Sequence, residues 1–198
     1  MIPVPFSHHP VYLVIFLASY GFWLVFEFVT SRSRKTSGAE RRNDRGSFAF
    51  LIAMIWTGIS LEFALSFRAQ AAAFPKWRVE IFFLGITLMW IGIAFRYYAM
   101  RVLGKFFTFQ VTTQVGQTVV TDGPYRWIRH PAYTGALITV IGLGLALGNL
   151  AGLVALFGCI ALGYFYRIRV EERMLVESLG QPYREYMSRT SRLIPYLL

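Results

Sequence analysis

The sequence is poor in charge, in acidic residues and in cysteine. Only 15% of its 198 residues are charged, whereas about a quarter are charged in a typical soluble domain. The single cysteine, Cys159, excludes an internal disulfide and a cysteine-based metal cluster. No Lys or Arg precedes Arg32, so a signal peptide with a basic n-region is not expected. The first apolar run is instead expected to remain as a membrane span.

The hydrophobic residues make up 56% of the chain and occur in long runs, with a mean hydropathy of +0.49. A helix that crosses a bilayer core of about 30 Å needs about 20 apolar residues. Three runs meet this length, and a longer apolar stretch is divided at Leu147 and Leu150 by a short glycine- and asparagine-containing segment. The predicted spans are 11–30, 47–67, 79–100, 132–147 and 150–166. The sequence therefore predicts an all-α integral membrane protein with five transmembrane helices, of which the last two form a hairpin.

Three glycines in this hairpin recur every four residues, at positions 144, 148 and 152. This spacing lets helix backbones approach closely and favours direct packing of Gly144, Gly148 and Gly152 between the two hairpin helices. The alternative is that these glycines reflect the ordinary composition of membrane helices.

The basic residues are grouped in particular connections between the spans. The 20 Lys and Arg outnumber the ten Asp and Glu and give a net charge of +10, which could suggest a nucleic-acid partner. However, six basic residues lie in 32–45, four in 101–129, six in 167–192 and three in 68–78. Because basic connections stay in the cytoplasm, this distribution predicts an outside N-terminus and a cytoplasmic C-terminus. This orientation brings the polar segments after the third and fifth spans to the same cytoplasmic face. Because the orientation accounts for the basic residues, no nucleic-acid partner is expected.

Three ionisable residues lie within the predicted spans, where charge is costly. Glu27 and Arg96 each lie about one turn from the cytoplasmic end of their span, which predicts an ion pair between the first and third helices. The alternative is that each side chain extends separately to the interface. Glu62 lies near the opposite face without an evident partner. The adjacent His8 and His9 have no further ligands nearby in sequence, so no metal site is predicted.

The segment 121–135, TDGPYRWIRHPAYTG, places a turn signal and polar residues directly before an apolar run. Pro131 suits the first position of a helix, whose free N–H groups carry a partial positive charge. With Arg129 and His130 beside it, this helix start favours a carboxylate or phosphate. The alternative is a membrane-interface anchor that consists of Tyr125, Trp127 and arginines.

A second polar group follows the fifth predicted span. Arg167 and Glu171 are spaced i, i+4 and share one helix face, whereas Glu172 lies about 100° further round. The pair alone is worth only a few tenths of a kcal/mol. The predicted hairpin, however, brings Arg167 and Glu171 near His130. This convergence predicts a functional site.

Three strings, GPYRWIRHPAY, RIRVEE and LGQPYREYMSRTSRLIP, together resemble the isoprenylcysteine carboxyl methyltransferase family of membrane enzymes. The resemblance covers about residues 110–195 and divides the chain into three transmembrane helices at 1–100 and a catalytic region at 101–198. It implies S-adenosyl-L-methionine as methyl donor, bound without a Rossmann domain, in a cytoplasmic cofactor pocket. This agrees with the lack of a glycine-rich nucleotide loop after a strand.

The resemblance also implies the roles of particular residues. Arg167 and Glu171 are the expected catalytic residues, and Arg167 takes the substrate-contact position. Gln117 departs from the family pattern, in which histidine is common. The expected donor contacts are Gln110, Gln117, Thr118, Val119, Val120, Tyr125, His130, Pro131, Ala132, Tyr133 and Glu171.

The reaction implied by the resemblance is O-methylation of the carboxylate of an isoprenylcysteine or a similar lipophilic acceptor that enters from the bilayer. A carboxylate is nucleophilic at neutral pH and needs alignment, which the planar guanidinium of Arg167 can supply. A phospholipid amine or a thiol is the alternative acceptor, and an amine would need Glu171 or Glu172 to take its proton. Alternatives of another class are a sterol-reductase-like NADPH enzyme and a non-catalytic lipid-binding membrane protein.

Overall fold

The computed structural model describes residues 10–33, 41–42, 46–69, 72–74, 77–108, 112–113 and 116–195. Most of these residues are α-helical, and two short 3-10 turns occupy Gly104–Phe106 and Gly123–Arg126. Two-residue strands, β1 (Arg41–Arg42) and β2 (Thr112–Thr113), pair in antiparallel orientation. The helices of the described part are α1 (Pro10–Ser33), α2 (Ser47–Arg68), α3 (Arg78–Leu103), α4 (Pro131–Leu147), α5 (Leu150–Leu179) and α6 (Gln181–Arg189).

Four of these helices, α1, α2, α3 and α5, are long and apolar enough to cross a membrane by length and composition. Many of their large apolar side chains face outward, for example Val14, Val25 and Leu162, each at least 60% exposed, as expected for contact with lipid. Helix α4 has only 17 residues and is a shorter apolar helix. The predicted all-helical membrane architecture is therefore found with four candidate spans rather than five. Helix α5 continues beyond the predicted end at 166 and carries the second polar group on the same helix.

The chain alternates between two ends of the helical bundle. At one end, β1 follows α1 and pairs with β2, which follows α3. At the other end, Ala73 between α2 and α3 forms a bridge with Asn149 between α4 and α5. The polar segments that precede α4 and follow α5 consequently lie at the same end as the β1–β2 pair.

Glycines let α3 and α4 pack with their backbones in contact. A Cβ atom on Gly142 would lie 2.5 Å from the carbonyl oxygen of Gly85, and a Cβ on Gly135 would lie 2.7 Å from the backbone nitrogen of Arg96. The predicted glycine contact between the two hairpin helices is found at Gly144, which faces Leu153 of α5. Helix α4 packs most extensively against α3, and helix α5 packs most extensively against α2.

The other two predicted glycines have different neighbours. Gly148 ends α4 in a left-handed conformation, with φ of 74°, and Gly152 faces the Glu62 carboxyl group of α2. The Ser66 hydroxyl donates to Glu62 Oε1 over 3.2 Å, so Glu62 has a partner one turn away on its own helix that the sequence analysis did not identify. The Asn149 amide donates to the Leu65 and Ala69 carbonyl oxygens and thereby ties the start of α5 to the end of α2.

Candidate active site

The predicted ion pair between α1 and α3 is confirmed. Arg96 Nε lies 2.7 Å from Glu27 Oε1, and Arg96 Nη2 donates to Glu27 Oε2 over 3.0 Å. The other terminal nitrogen, Arg96 Nη1, donates to the carbonyl oxygen of Ala132 over 2.9 Å. The contact to Ala132 depends on the close approach of α3 and α4. Arg96 thus joins the middle of the bundle to the start of the helix that follows His130.

The start of α4 lies beside the two adjacent glutamates of α5. Pro131 is the first residue of α4, as predicted, and His130 precedes it. The His130 ring is 5% exposed; its Nδ1 lies 3.9 Å from Glu171 Oε2 and its Nε2 lies 3.4 Å from Glu172 Oε1. The structure therefore brings His130 and Glu171 together, as the sequence predicted for its two polar groups.

A chain of hydrogen bonds links Arg167 to Glu171 through Tyr133. Arg167 Nε donates to the Tyr133 hydroxyl oxygen over 3.3 Å, and that hydroxyl donates to Glu171 Oε2 over 2.7 Å. Arg167 Nη1 donates to the Ser47 hydroxyl oxygen over 2.8 Å. The guanidinium is only 2% exposed. These contacts fix its plane because the guanidinium donors have a rigid geometry.

Glu172 has a different environment from its neighbour. Its carboxylate accepts from Arg129 Nε over 2.8 Å and from Arg192 Nε over 3.0 Å. Arg129 also donates to the carbonyl oxygens of Met187 and Thr190 near the end of α6. Arg129 was expected beside an anion at the start of α4, but in the structure it binds Glu172 and the end of α6. The reason is that a buried carboxylate and helix-end carbonyls compete for the same donors.

The C-terminal segment after α6 packs along the segment that carries His130. The backbone nitrogens of Arg129 and His130 donate to the carbonyl oxygens of Ser191 and Arg192, over 2.8 Å and 3.0 Å. The Tyr186 hydroxyl donates to the Tyr125 carbonyl oxygen over 2.6 Å. The conformation of the His130 segment is thus held by residues about 60 positions later in the chain.

The aromatic residues of this region separate into two groups. Trp127 is 45% exposed and stacks with Arg126, whose guanidinium carbon lies 3.8 Å from the ring centroid, so it suits an interface anchor. Tyr125 is buried, which contradicts the anchor alternative for that residue. Burial raises the pKa of the Tyr186 hydroxyl to about 12. Burial, followed by the charges of the nearby glutamates, raises the pKa of Tyr183 above its usual range, so both phenols are neutral hydrogen-bonding groups at neutral pH.

A single cavity of about 270 Å³ connects these groups. Pro131 begins α4 but is not part of the wall, and Gln110 lies outside the described residues, as do His8 and His9. The predicted site residues that line the cavity are Gln117, Thr118, Val119, Val120, Tyr125, His130, Ala132, Tyr133, Arg167 and Glu171.

The cavity has a polar part and an apolar part. Glu171, Arg167, Tyr164 and Ile160 follow one another at intervals of three or four residues along α5 and lead from the charged end toward the middle of the bundle. The apolar wall consists of Trp23, Leu51, Ile55, Ile59, Ala136, Val140 and Ile160. The arrangement can bind a polar molecule and a long apolar chain next to each other, with Arg167 and Tyr133 where the two parts meet.

Comparison with known proteins gives the family of the chain. Residues 81–182 match the family model described as phospholipid methyltransferase. The chain is 30% identical to protein-S-isoprenylcysteine O-methyltransferase B of Arabidopsis thaliana over 140 residues, which cover 67% of this chain and 70% of that protein. The chain belongs to the isoprenylcysteine carboxyl methyltransferase family. The resemblance found in the sequence motifs is thereby confirmed.

Two further comparisons agree with this membership. The protein-S-isoprenylcysteine O-methyltransferase of Saccharomyces cerevisiae is 34% identical over 116 residues, which cover 58% of this chain and 48% of that protein. A solved eukaryotic intramembrane Ras methyltransferase, isoprenylcysteine carboxyl methyltransferase, aligns with a TM-score of 0.55 at 20% identity. It covers 92% of this chain and 68% of the solved chain. This likeness shows a common fold.

Family membership makes the chain a membrane methyltransferase, and the reductase and non-catalytic alternatives lose their support. The matched segment begins in α3 and ends in α6, so it excludes all of α1 and α2. Those helices nevertheless contribute Glu27 and Phe48 to the cavity wall, and Ser47 contacts Arg167. Part of the cavity therefore comes from helices that the family motifs do not include.

Several residues of the cavity wall were not predicted from the sequence. Met174, Leu175 and Leu179 follow Arg167 and Glu171 on one face of α5, and Tyr183 and Tyr186 follow on α6. Their spacing at three or four residues could have indicated a common helix face. No comparable signal marks Ser47 or Phe48, because their proximity to Arg167 depends on the packing of α2 against α5.

Proposed function

We propose that the protein is an S-adenosyl-L-methionine-dependent methyltransferase that O-methylates the carboxylate of an isoprenylcysteine or a similar lipophilic acceptor. Residues 101–198 form the catalytic region, and residues 1–100 supply three transmembrane helices. The observation that supports this most directly is that one cavity has a charged part, which contains His130 and Glu171, and an apolar part. Arg167 lies at the junction, where a donor and an acceptor would meet.

The charged part of the cavity suits the donor. Its amino-acid end carries an ammonium and a carboxylate, which match Glu171 and the positive start of α4 beside His130. Glu171 keeps 28% of its side chain exposed, and His130 Nε2 forms no hydrogen bond within the described residues. The aromatic face of Tyr133 can attract a positively charged sulfur. When bound, the donor would supply a methyl group on a cationic sulfur. A carboxylate oxygen would form a bond to that methyl carbon while the carbon–sulfur bond breaks and S-adenosylhomocysteine leaves as a neutral thioether, so no strong base is needed.

Arg167 would position the acceptor carboxylate. Its guanidinium is fixed by Ser47 and the Tyr133 hydroxyl, and a fixed fork can orient a carboxylate toward the reacting methyl group. Tyr133 connects Arg167 to Glu171 and so holds the acceptor and donor positions at a set separation. The role assigned to this chain is mainly positioning, because the reacting carboxylate is already ionised at neutral pH.

The proposed site lies at the cytoplasmic face, with the N-terminus outside and the C-terminus inside. The described basic residues of the first group, Arg32, Arg41 and Arg42, and those at 101–129 and 167–192 belong to the end of the bundle that contains the charged part of the cavity, in keeping with the positive-inside rule. A water-soluble donor would reach that part from the cytoplasm. The acceptor would come from the bilayer, and its apolar chain would occupy the cavity between α1, α2, α4 and α5.

The match to the phospholipid methyltransferase model favours a second candidate acceptor, a phospholipid amine. An amine must lose a proton, for which Glu171 and Glu172 are the candidate bases. Glu172 is bound by two arginines and is buried. Of the two glutamates, only the partly exposed Glu171 is therefore accessible for accepting a proton from the amine. Glu171 would then have to serve both the donor ammonium and the acceptor proton. This conflict makes the carboxylate acceptor the better fit.

The first test is calorimetric titration of S-adenosylhomocysteine and NADPH into the detergent-solubilised protein. Binding of S-adenosylhomocysteine alone is expected, and its absence would remove every donor assignment made above. A radiolabelled-methyl assay with prenylcysteine, phospholipid and thiol acceptors then identifies the acceptor class. Transfer to a phospholipid amine but not to prenylcysteine would replace the proposed acceptor and keep the donor.

Two variants separate the donor and acceptor roles. His130→Ala should weaken S-adenosylhomocysteine binding by about tenfold, since it removes a buried polar contact to the donor. Arg167→Ala should abolish transfer while S-adenosylhomocysteine still binds. Equal loss of binding and transfer in Arg167→Ala would show that Arg167 does not act on the acceptor alone.

A further inference from the structure

Arginines stack on exposed aromatic rings at the end of the bundle that contains the charged part of the cavity. Their guanidinium carbons lie between 3.8 Å and 5.8 Å from the ring centroids, within the range of about 6 Å for cation–π contacts. Each ring is between 45% and 56% exposed. These four stacked pairs are Arg32 on Phe28, Arg101 on Tyr97, Arg126 on Trp127 and Arg169 on Phe165.

Three of the four stacked pairs have the same arrangement on three different helices. On α1, α3 and α5 the ring comes four residues before its arginine, so both lie on one helix face. All three helices run toward the end with the β1–β2 pair, and each arginine is therefore about 6 Å closer to that end than its ring. This order matches a membrane boundary, with exposed rings at the edge of the hydrocarbon and cations at the level of the headgroups.

The arginines of the four stacked pairs have hydrogen-bond donors to spare. A guanidinium has five N–H donors, and contact with a ring face needs none of them. None of the four forms an ion pair with a carboxylate within the part of the chain that the structure describes. Arg101 uses one donor on the hydroxyl of its own Tyr97, over 3.2 Å. The surface around the end of the bundle therefore offers positive charge and free donors next to apolar rings.

The chemistry of this surface matches a phospholipid with a net negative charge. Phosphate oxygens suit the planar donor fork of arginine, and acyl chains can pack on the exposed rings below it. A phospholipid with a choline headgroup carries its own cation, which competes with arginine for the phosphate. Basic residues near an anionic membrane surface each contribute about 1 kcal/mol to binding, equivalent to about fivefold in affinity.

We propose that the four stacked pairs bind the headgroups of anionic phospholipids and thereby set the depth of the protein in the membrane. Arg167 lies between Phe165 and Arg169 along α5. The junction of the polar and apolar parts of the cavity is consequently at the boundary between headgroups and hydrocarbon. The proposal concerns the outer surface of the bundle and does not depend on the methyl-transfer reaction.

The test measures lipid binding to the full-length protein in detergent by native mass spectrometry. Dioctanoylphosphatidylglycerol should bind with an apparent dissociation constant at least about fivefold lower than that of dioctanoylphosphatidylcholine. Equal constants for the two lipids would overturn the proposal. Glycerol 3-phosphate, which has the phosphate without acyl chains, should not displace phosphatidylglycerol at equal concentration. Displacement would show a site for free phosphate and would also overturn it.

Charge-matched variants distinguish the four stacked pairs from net charge alone. Arg101→Gln/Arg169→Gln removes two stacked arginines and should weaken phosphatidylglycerol binding by about fivefold or more. Arg184→Gln/Arg189→Gln removes two exposed arginines of α6, which do not stack on a ring within the described residues, and should change binding by less than twofold. Equal losses in the two double variants, or no loss in the first, would refute the assignment to the stacked pairs.

A second pair of variants changes the rings and keeps every charge. Phe165→Leu removes the ring under Arg169 and should weaken phosphatidylglycerol binding, because the ring holds the guanidinium at the membrane boundary. Phe157→Leu changes another exposed phenylalanine of α5, two turns further from that end, and should leave the binding unchanged. If the arginine double variant does not fold, this comparison decides, and equal binding by the two leucine variants would contradict the proposal.

Discussion

Replacement of Gly135 by alanine tests the close packing that places Arg96 in the cavity. The added Cβ would lie 2.7 Å from the backbone nitrogen of Arg96 and 2.8 Å from the carbonyl oxygen of Gly92. Carbon contacts are ordinarily about 3.5–4.0 Å, so α3 and α4 must separate by roughly 1 Å. Both neighbours include backbone atoms, which cannot move aside like a flexible side chain. Overpacking of this kind costs about 1–3 kcal/mol.

The matched control is Gly158→Ala on α5. A Cβ atom at Gly158 meets no atom within 4 Å, and alanine favours the helix over glycine by about 1 kcal/mol. Because both variants gain this helix propensity, their difference isolates the packing cost. The melting midpoint of Gly135→Ala in detergent should be lower than that of Gly158→Ala by at least about 2 °C.

The affinity of the same two variants for S-adenosylhomocysteine tests a second consequence of this packing. Separation of α3 from α4 would lengthen the hydrogen bond from Arg96 to the Ala132 carbonyl oxygen, now 2.9 Å. Ala132 directly follows the start of α4, so S-adenosylhomocysteine affinity should fall in Gly135→Ala and stay unchanged in Gly158→Ala. Equal melting midpoints of the two variants would refute the backbone contact between α3 and α4.

Three other predictions concern buried polar groups. In a double-mutant cycle in detergent, the changes in the free energy of unfolding caused by Glu27→Gln and Arg96→Gln should be non-additive by at least about 1 kcal/mol, because each single variant leaves its partner unpaired in a buried site. Additive changes would contradict the ion pair. Glu172→Gln should lower the melting midpoint, since it weakens contacts to two arginines, whereas Glu185→Gln on the exposed face of α6 should leave it nearly unchanged. Asn149→Ala should destabilise the protein by about 1–3 kcal/mol, because it removes the cap of α5 and two hydrogen bonds to α2, and a thermal unfolding curve that matches the wild type would contradict this.

The helix positions followed mainly from local features of the sequence. Runs of about 20 apolar residues predicted α1, α2 and α3 to within a few residues of their bounds. Pro131 marked the start of α4, since proline lacks the N–H that an internal position would need. The spacing of Arg167 and Glu171 predicted that both would face one way, and both line the cavity.

Other features depended on distant parts of the chain. The sequence could not show that Arg129 binds Glu172 and the end of α6 rather than an anion, because several partners of equal chemistry were available. The packing of the glycines also differed in part from the prediction, since Gly152 faces Glu62 of α2 and not the other hairpin helix. Which helix a glycine meets is decided by the whole arrangement of the bundle.

The sequence by itself determined the membrane class, the family motifs, and the position of two polar groups at one end of the helices. The length of an apolar run and the spacing of residues along a helix are local properties of the sequence. Both can be recognised without knowing which residues pack against each other. Only the tertiary structure decided that Phe48, Glu27 and Tyr164 share a cavity with Arg167. These residues lie on three different helices, and their proximity is set by backbone contacts and buried charge pairs between residues far apart in the chain.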